Sequence, residues 1–156
     1  MVPTDTMVNE QTVLASIHVL AAVFWVGGGF FLNVAMTLAA RSPEPASRLA
    51  TFRLAEFAAL KVFLPLAAIV LATGIWLTAD YYDFSYLWIT LGMVGLITAI
   101  TIALFYLRPR AKRAIDAIES GAGPPPPGAR NWVPIVSRLN LLLVSAVVVI
   151  MVIKPT

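Results

Sequence analysis

The chain has 156 residues, enough for one domain, of which 60% are hydrophobic and only 12% are charged. This composition is far from the soluble average and predicts membrane-spanning helices. The net charge of +3 does not indicate nucleic-acid binding, and the absence of cysteine excludes disulfides, thiolate metal sites, iron–sulfur clusters and c-type haem attachment.

Four long apolar runs predict an all-α fold, a polytopic membrane protein whose single membrane domain, residues 1–156, is a four-transmembrane-helix bundle. The first run is too long for a signal peptide and lacks a positively charged flank, so it is expected to remain as a helix. The segment Arg41-Ser-Pro-Glu-Pro45 ends it, since two prolines in three residues oppose helix continuation. The predicted helices cover about residues 12–40, 58–78, 86–107 and 134–153.

The third helix is predicted to stop near Arg108-Pro109, where a loop of about residues 108–133 begins. Within that loop, Ala111 to Ser120 is predicted to be a short amphipathic helix on the membrane surface, with Ile115 and Ile118 facing lipid. Gly121 to Gly128 contains four consecutive prolines and is expected to be an extended, semi-rigid linker.

The positions of the basic residues predict the orientation of the chain. Lysine and arginine are concentrated in two of the five segments outside the apolar runs, and by the positive-inside rule these segments face the cytoplasm. The prediction is a protein of the prokaryotic plasma membrane with both termini on the outer side, N-out and C-out. The basic residues of the two segments are Arg41, Arg48, Arg53 and Lys61, then Arg108, Arg110, Lys112, Arg113, Arg130 and Arg138.

His18 is the only histidine and lies inside the first predicted helix, so it is a candidate ligand for haem iron or copper. The alternative is a structural hydrogen bond between helices. At a rise of about 1.5 Å per residue, His18 lies roughly 12 Å outward of the middle of its helix. Met93 and Met151 lie at similar outer depths, so a His/Met site suits Cu(I) or a haem iron, although methionine also fills apolar cores.

Two basic residues lie near the inner ends of helices. By the same rise, Lys61 is roughly 24 Å from His18 along the membrane normal, which excludes a compact site containing both. Lys61 and Arg138, at a shared depth, are expected either to hold the charged groups of a long amphipathic ligand such as a porphyrin, a quinone or a lipid, or to extend towards the cytoplasmic headgroups.

Polar and small residues elsewhere in the runs predict helix packing. Asn33 and Asn140 are expected to form interhelical hydrogen bonds, and Gly27-Gly28-Gly29 is expected to allow close helix approach or to open a ligand pocket. Trp76, Tyr81, Tyr82, Tyr86 and Trp88 are expected to form an interfacial aromatic belt.

Three of the four helices resemble those of the CopD-like and HemJ-like group of small four-helix membrane proteins. The similar segments are His18-x6-Trp25-x-Gly27-Gly28, Pro65 with Thr73-Gly74-Ile75-Trp76-Leu77, and Arg138-Leu139-Asn140 followed by the apolar end of the chain. The resemblance implies that His18 contacts haem or metal, that Trp25 shapes the pocket, and that Lys61 or Arg138 helps to hold a tetrapyrrole. The third helix lacks the Lys and His of HemJ-like chains, which indicates a divergent member.

The leading expectation is therefore binding of haem b, another tetrapyrrole or copper through His18, with Met93 and Met151 as further metal ligands and Trp25, Lys61 and Arg138 around the cofactor. No catalytic residue is predicted. A second hypothesis is a non-catalytic accessory subunit of a larger respiratory or photosynthetic membrane complex. A third is a quinone-linked protoporphyrinogen oxidase. The expected partners are the lipid bilayer and either a homo-oligomer or a larger complex, without nucleic acid.

Overall fold

The structure is a computed structural model that describes residues 9–121 and 132–154. Its four long helices are α1 (Glu10–Arg41), α2 (Pro45–Tyr81), α3 (Leu87–Glu119) and α4 (Val133–Ile153), and each is long and apolar enough to cross a membrane. The predicted all-α, four-transmembrane-helix fold is thereby confirmed. Most of the predicted proline-rich linker, residues 122–131, lies outside the described residues, as does Arg130.

Local sequence explains where α1 begins and ends. The side chain of Asn9 accepts a hydrogen bond of 2.8 Å from the backbone N–H of Thr12, which satisfies one of the free donors of the first turn. At the other end, the backbone of Ser42 is extended, and Pro45 begins α2 at a position where its missing N–H costs nothing. The connection between α1 and α2 is therefore very short.

Helices α2 and α3 continue well beyond their apolar runs. Each contains an internal proline, Pro65 or Pro109, two positions after the end of a π-helical segment, Ala59–Phe63 or Ile102–Leu107. A proline has no N–H and its ring clashes with the carbonyl group four residues earlier, and the wider π turn relieves both constraints. For this reason α3 does not end near Arg108-Pro109 as expected from the sequence, but continues to Glu119.

The extended parts of α2 and α3 pack against each other. The segment Pro45–Ala58 contacts Arg108–Glu119, where Ile115 is only 6% exposed, and Arg53 forms a 2.6 Å salt bridge with Glu119. Instead of lying on the membrane as a separate helix with Ile115 facing lipid, residues 111–120 continue α3 and bury Ile115. We call this two-helix extension the basic end of the protein.

The four helices form a closed bundle in which α1 contacts α2 and α4, and α3 contacts α2 and α4. Two glycines of α3 allow α4 to approach closely: a Cβ atom on Gly92 would lie 2.7 Å from Met151 Cε, and one on Gly95 would overlap Val147. Large apolar side chains cover the outside, where a bilayer would contact them, and examples are Phe24, Phe30, Phe31, Leu38, Phe105, Leu142 and Val152.

The three consecutive glycines of α1 have different surroundings. A Cβ on Gly28 would lie 2.7 Å from Cε1 of Phe63, one on Gly29 would make an ordinary contact with Leu141, and one on Gly27 would meet nothing within 4 Å. Close packing therefore depends on Gly28. A few residues further along, Ser137 of α4 donates a 2.9 Å hydrogen bond to Asn33, so the interhelical bond expected of Asn33 is present.

The opposite end of the bundle, which we call the turn end, carries the expected aromatic side chains. The rings of Tyr82 and Trp88 pack edge to face, and those of Tyr86 and Trp88 are stacked. Trp76 donates a 2.6 Å hydrogen bond to Asp80. These amphipathic rings are suited to a membrane interface, which places the turn end at one surface of the bilayer and the basic end at the other.

Candidate functional site

Two cavities lie inside the described bundle, one above the other. The smaller, of about 230 Å³, is lined by His18 near the turn end, and the larger, of about 870 Å³, opens towards the basic end. A small apolar cluster lies at the centre of the bundle, formed by Ala21, Val70 and Leu96 with Trp25 packed against it. Trp25, Val26 and Val144 line both cavities, so the two cavities adjoin in the middle of the bundle.

His18 is held to α2 by a specific hydrogen bond. Its Nδ1 lies 2.9 Å from Oγ1 of Thr73, whose hydroxyl is 2.7 Å from the carbonyl of Ile69 and donates to it. Since a hydroxyl has one proton, Thr73 accepts from the imidazole, so the proton of neutral His18 is on Nδ1. The lone pair on Nε2 is then available to a proton or a metal ion, as in metal sites where the second ring nitrogen is anchored.

Gly74 gives the imidazole ring its space. A Cβ atom at this position would lie 3.2 Å from Cε1 and 3.7 Å from Nδ1 of His18. Any larger residue would push the ring away from Thr73. The pair Thr73-Gly74 thus supplies both the acceptor for His18 and the gap that admits it.

Met93 and Met151 line the same cavity as His18. The methyl end of Met151 lies over Gly92, next to Met93 in sequence, and the missing side chain of Gly92 lets it pass into the space between α3 and α4. Among the described residues no group of three or more His, Cys, Asp or Glu side chains is placed to hold a metal ion. A metal at His18 would therefore rely on thioether sulfur as its further protein ligand.

The smaller cavity is closed towards the turn end by a cationic and aromatic cluster. Nζ of Lys154 lies 5.3 Å from the ring centre of Tyr82 and 5.4 Å from that of Trp88, within the usual range of a cation–π contact. All three residues line the cavity. Lys154 caps the C-terminal end of α4 in the left-handed conformation (φ 49°).

The basic residues singled out from the sequence have separate locations. Both are exposed, but Arg138 lines the larger cavity whereas Lys61 lines neither cavity. The structure therefore brings His18, Trp25, Met93 and Met151 together but leaves Lys61 and Arg138 apart from them. The larger cavity also contains the Asn33–Ser137 bond and Asn140, whose buried Oδ1 has no hydrogen-bond partner among the described residues, so no interhelical bond involves that oxygen.

The chain matches a protein family described as "Predicted integral membrane protein (DUF2269)" over residues 12–155. The chain belongs to this family. The matched region contains α2, α3 and α4 completely and α1 from Thr12. No curated protein and no solved structure matches the chain. The family description names no ligand, so the narrower CopD-like or HemJ-like resemblance stays a prediction.

Sequence reasoning about this DUF2269 protein overlooked Thr73, although it lies in the Thr73-Gly74 pair of the motif quoted above for α2. The feature of the sequence that could have identified Thr73 was a hydroxyl side chain, next to a glycine, at about the same depth in the membrane as His18. It also overlooked the arginines of α3 as lining residues, because the expected end of α3 at Leu107 put them in a loop.

Proposed function

We propose that this integral membrane protein binds Cu(I) through Nε2 of His18 and the thioether sulfurs of Met93 and Met151. The observation that carries the proposal is the bond from Nδ1 of His18 to Thr73, which leaves Nε2 free on a histidine whose cavity both methionines line. Soft thioether ligands select Cu(I), and imidazole is a suitable third ligand for it. The apolar walls around the site also favour the singly charged ion over a divalent one.

The size of the smaller cavity favours a metal ion over a tetrapyrrole at His18. Its volume of about 230 Å³ is below the roughly 300–1,000 Å³ of pockets that hold drug-sized ligands. Trp25, Val70 and Leu96 also line this cavity, so a tetrapyrrole at His18 would compete for space with their side chains, whereas a single metal ion is far smaller than the cavity.

A direct titration tests the proposal. The full-length protein, purified anaerobically in mild detergent, competes for Cu(I) with a chromophoric chelator, and we expect it to take up one ion per chain. We expect His18→Ala to abolish binding, and Met93→Leu or Met151→Leu to weaken it by about tenfold or more, equivalent to about 1.4 kcal/mol. The matched control is Met36→Leu, since Met36 lines the larger cavity instead, and it should bind as the natural protein does.

Two results would contradict the copper assignment. One is unchanged Cu(I) affinity in His18→Ala. The other is a Soret absorption band in the purified protein that disappears in His18→Ala, which would assign His18 to a tetrapyrrole instead. Zinc added in place of Cu(I) should bind much more weakly, because thioether sulfur is a poor ligand for it.

A further inference from the structure

The larger cavity has no role in copper binding and has a different chemical character. Its volume of about 870 Å³ is near the upper end of the roughly 300–1,000 Å³ typical of ligand pockets. It begins at Trp25 in the middle of the bundle and reaches the extended parts of α2 and α3 at the basic end. One end of the cavity is therefore inside the apolar bundle, and the other is among charged side chains.

The charged end of the cavity is strongly basic. Among the described residues that line it, Glu56 is the one carboxylate. Within residues 9–121 and 132–154 the salt bridge is that of Arg53 with Glu119, neither of which lines the cavity, so the arginines of the lining have no carboxylate partner there. These arginines are Arg41, Arg108, Arg110, Arg113 and Arg138.

Guanidinium groups are the side chains best suited to binding phosphate, because their planar donors pair with two phosphate oxygens at once. Arg110 is held in place for such a role, since its guanidinium carbon lies 3.5 Å from the ring centre of Tyr106 and its Nη1 donates to the Tyr106 carbonyl. Several such groups around one opening give a site with an excess of positive charge that an anion would offset.

The inner part of the cavity is apolar. Its walls come from all four helices, and they include Leu32, Phe63, Leu64, Leu104 and Leu141. Among the polar residues of the lining, Asn33 and Ser137 are bonded to each other, whereas the buried Oδ1 of Asn140 has no partner among the described residues and could accept from a hydroxyl or a water molecule of the occupied site. A purely polar anion would leave these apolar walls without an apolar group to contact.

We propose that the larger cavity binds a phosphate-headed lipid, with the phosphate among the arginines and the hydrocarbon tail between the helices. The positive charge of the arginines indicates an anionic headgroup, and the depth and apolar lining of the cavity indicate a hydrocarbon tail. The phosphate is the chemistry shared by a membrane phospholipid and by a free isoprenoid or acyl phosphate. His18, Met93 and Met151 are not among the residues that line this cavity, so the lipid and the copper ion would contact different ligands.

Native mass spectrometry of the full-length protein in mild detergent tests the proposal. The probes are phosphatidylglycerol, zwitterionic phosphatidylcholine with the same acyl chains, and inorganic phosphate. We expect phosphatidylglycerol to bind with defined stoichiometry and the other two to bind about tenfold more weakly or not at all. The quaternary ammonium of phosphatidylcholine would add a positive charge beside the arginines, and inorganic phosphate has no hydrocarbon tail for the apolar walls. Organic extraction of the purified protein before lipid addition identifies which of the two kinds of ligand the protein carries. The extract contains a phospholipid in the first case and an isoprenoid or acyl phosphate in the second.

Three variants make the test specific to the cavity. Arg138→Gln should weaken phosphatidylglycerol binding by about tenfold, the effect expected from losing one charge-assisted hydrogen bond. Ala103→Phe keeps every charge but fills part of the cavity, and it should weaken binding of the lipid without changing the response to inorganic phosphate. Lys112→Gln is the matched control, because Lys112 is an exposed cation on α3 between the lining residues Arg110 and Arg113 and does not itself line the cavity.

The proposal is overturned if Lys112→Gln and Arg138→Gln reduce binding equally, because the arginines would then act only through the general surface charge. It is also overturned if phosphatidylcholine binds as tightly as phosphatidylglycerol, or if inorganic phosphate alone accounts for the affinity. Loss of lipid binding in both Arg138→Gln and Ala103→Phe, with Cu(I) uptake at His18 intact, supports the proposal and shows that the variants are folded.

Discussion

At the scale of single residues, the hydrogen bond between His18 and Thr73 decides what the imidazole can do. In Thr73→Val the Nδ1–H of His18 loses its acceptor, and the ring can rotate or exchange its tautomer. We expect this variant to bind Cu(I) about 10- to 100-fold more weakly, the usual effect of removing the outer partner of a ligating histidine. The measurement is the same chelator competition used for the natural protein.

Thr98→Val is the control for this prediction. The hydroxyl of Thr98 also donates to a carbonyl of its own helix, at 2.7 Å from that of Val94, but Thr98 is exposed and lies outside the His18 cavity. Equal Cu(I) affinities of the natural protein and Thr73→Val would show that the hydrogen bond does not orient a metal ligand.

A second residue-scale prediction concerns the turn between α2 and α3. The backbone N–H of Ser85 donates a 2.8 Å hydrogen bond to Asp83, and this bond lowers the pKa of the Asp83 carboxyl from its usual 3.8. Because the folded pKa is the lower one, the ionised group stabilises the turn at every pH above 3.8, and this contribution is lost as the pH falls through the lowered pKa.

An NMR titration of the Asp83 carboxyl carbon in detergent micelles measures this pKa. The midpoint should lie below 3.8 in the natural protein and rise in Ser85→Pro, which removes both the backbone and the hydroxyl donor. A midpoint at or above 3.8 in the natural chain would contradict the hydrogen-bonded turn.

At the scale of helices, Gly95 determines how closely α3 and α4 approach. A methyl group there would overlap Val147, so we expect Gly95→Ala to destabilise the bundle by about 1–3 kcal/mol, as overpacking of a core does. Gly27→Ala is the matched control, since nothing lies within 4 Å of its added methyl, and alanine favours the helix by up to roughly 1 kcal/mol. Unfolding in mixed micelles measures both variants, and equal stabilities would contradict the α3–α4 contact.

The extended parts of α2 and α3 provide a second prediction at this scale. Ile115 is buried between them, so Ile115→Ala should lower the unfolding free energy by about 2–5 kcal/mol. Glu119→Gln removes only an exposed salt bridge and should cost about 0–1 kcal/mol. The two variants are compared by thermal unfolding. A larger effect of Glu119→Gln than of Ile115→Ala would mean that this end is held by charge and not by packing.

The membrane-spanning part of each helix was predictable, because an unbroken apolar run has no stable alternative in water or lipid. The full lengths of α2 and α3 were not predictable from the sequence. The predicted second helix already contained Pro65, but it began at about residue 58 and not at Pro45. For α3, a proline normally indicates a helix end, and nothing in the local sequence shows that a π turn before Pro109 lets the helix continue.

The sequence predicted the depth of the candidate site residues in the membrane better than it predicted which side chains contact each other. Residue counting placed His18, Met93 and Met151 at one level, and the structure puts them on one cavity. Counting gives no rotation about the helix axis, so it did not show that Arg138 lines the larger cavity while Lys61 lines neither cavity. Thr73 was missed because its contact with His18 joins residues 55 positions apart.

At the scale of the whole molecule, the account predicts an orientation. The two ends of the bundle differ in charge, and the positive-inside rule directs the basic end to the cytoplasm. The chain has no cysteine, so single cysteines report location without background. We expect Ser85→Cys, in the turn end, to react with a membrane-impermeant maleimide in intact cells, and Glu119→Cys, in the basic end, to react only after permeabilisation.

The reverse pattern would contradict the predicted orientation and would move the His18 cavity to the cytoplasmic half of the bilayer. Labelling of both positions in intact cells would indicate that the chain inserts in two orientations. In either case the bundle and its cavities remain as described, because the orientation rests on charge alone.

X-ray absorption spectroscopy of the Cu(I)-loaded protein tests the central claim most directly, because it identifies the atoms around the metal. The account predicts one imidazole nitrogen and two sulfur neighbours, with half of the sulfur signal lost in either Met93→Leu or Met151→Leu and none lost in Met36→Leu. A copper shell made only of nitrogen and oxygen, or a sulfur signal unchanged in both variants, would contradict it.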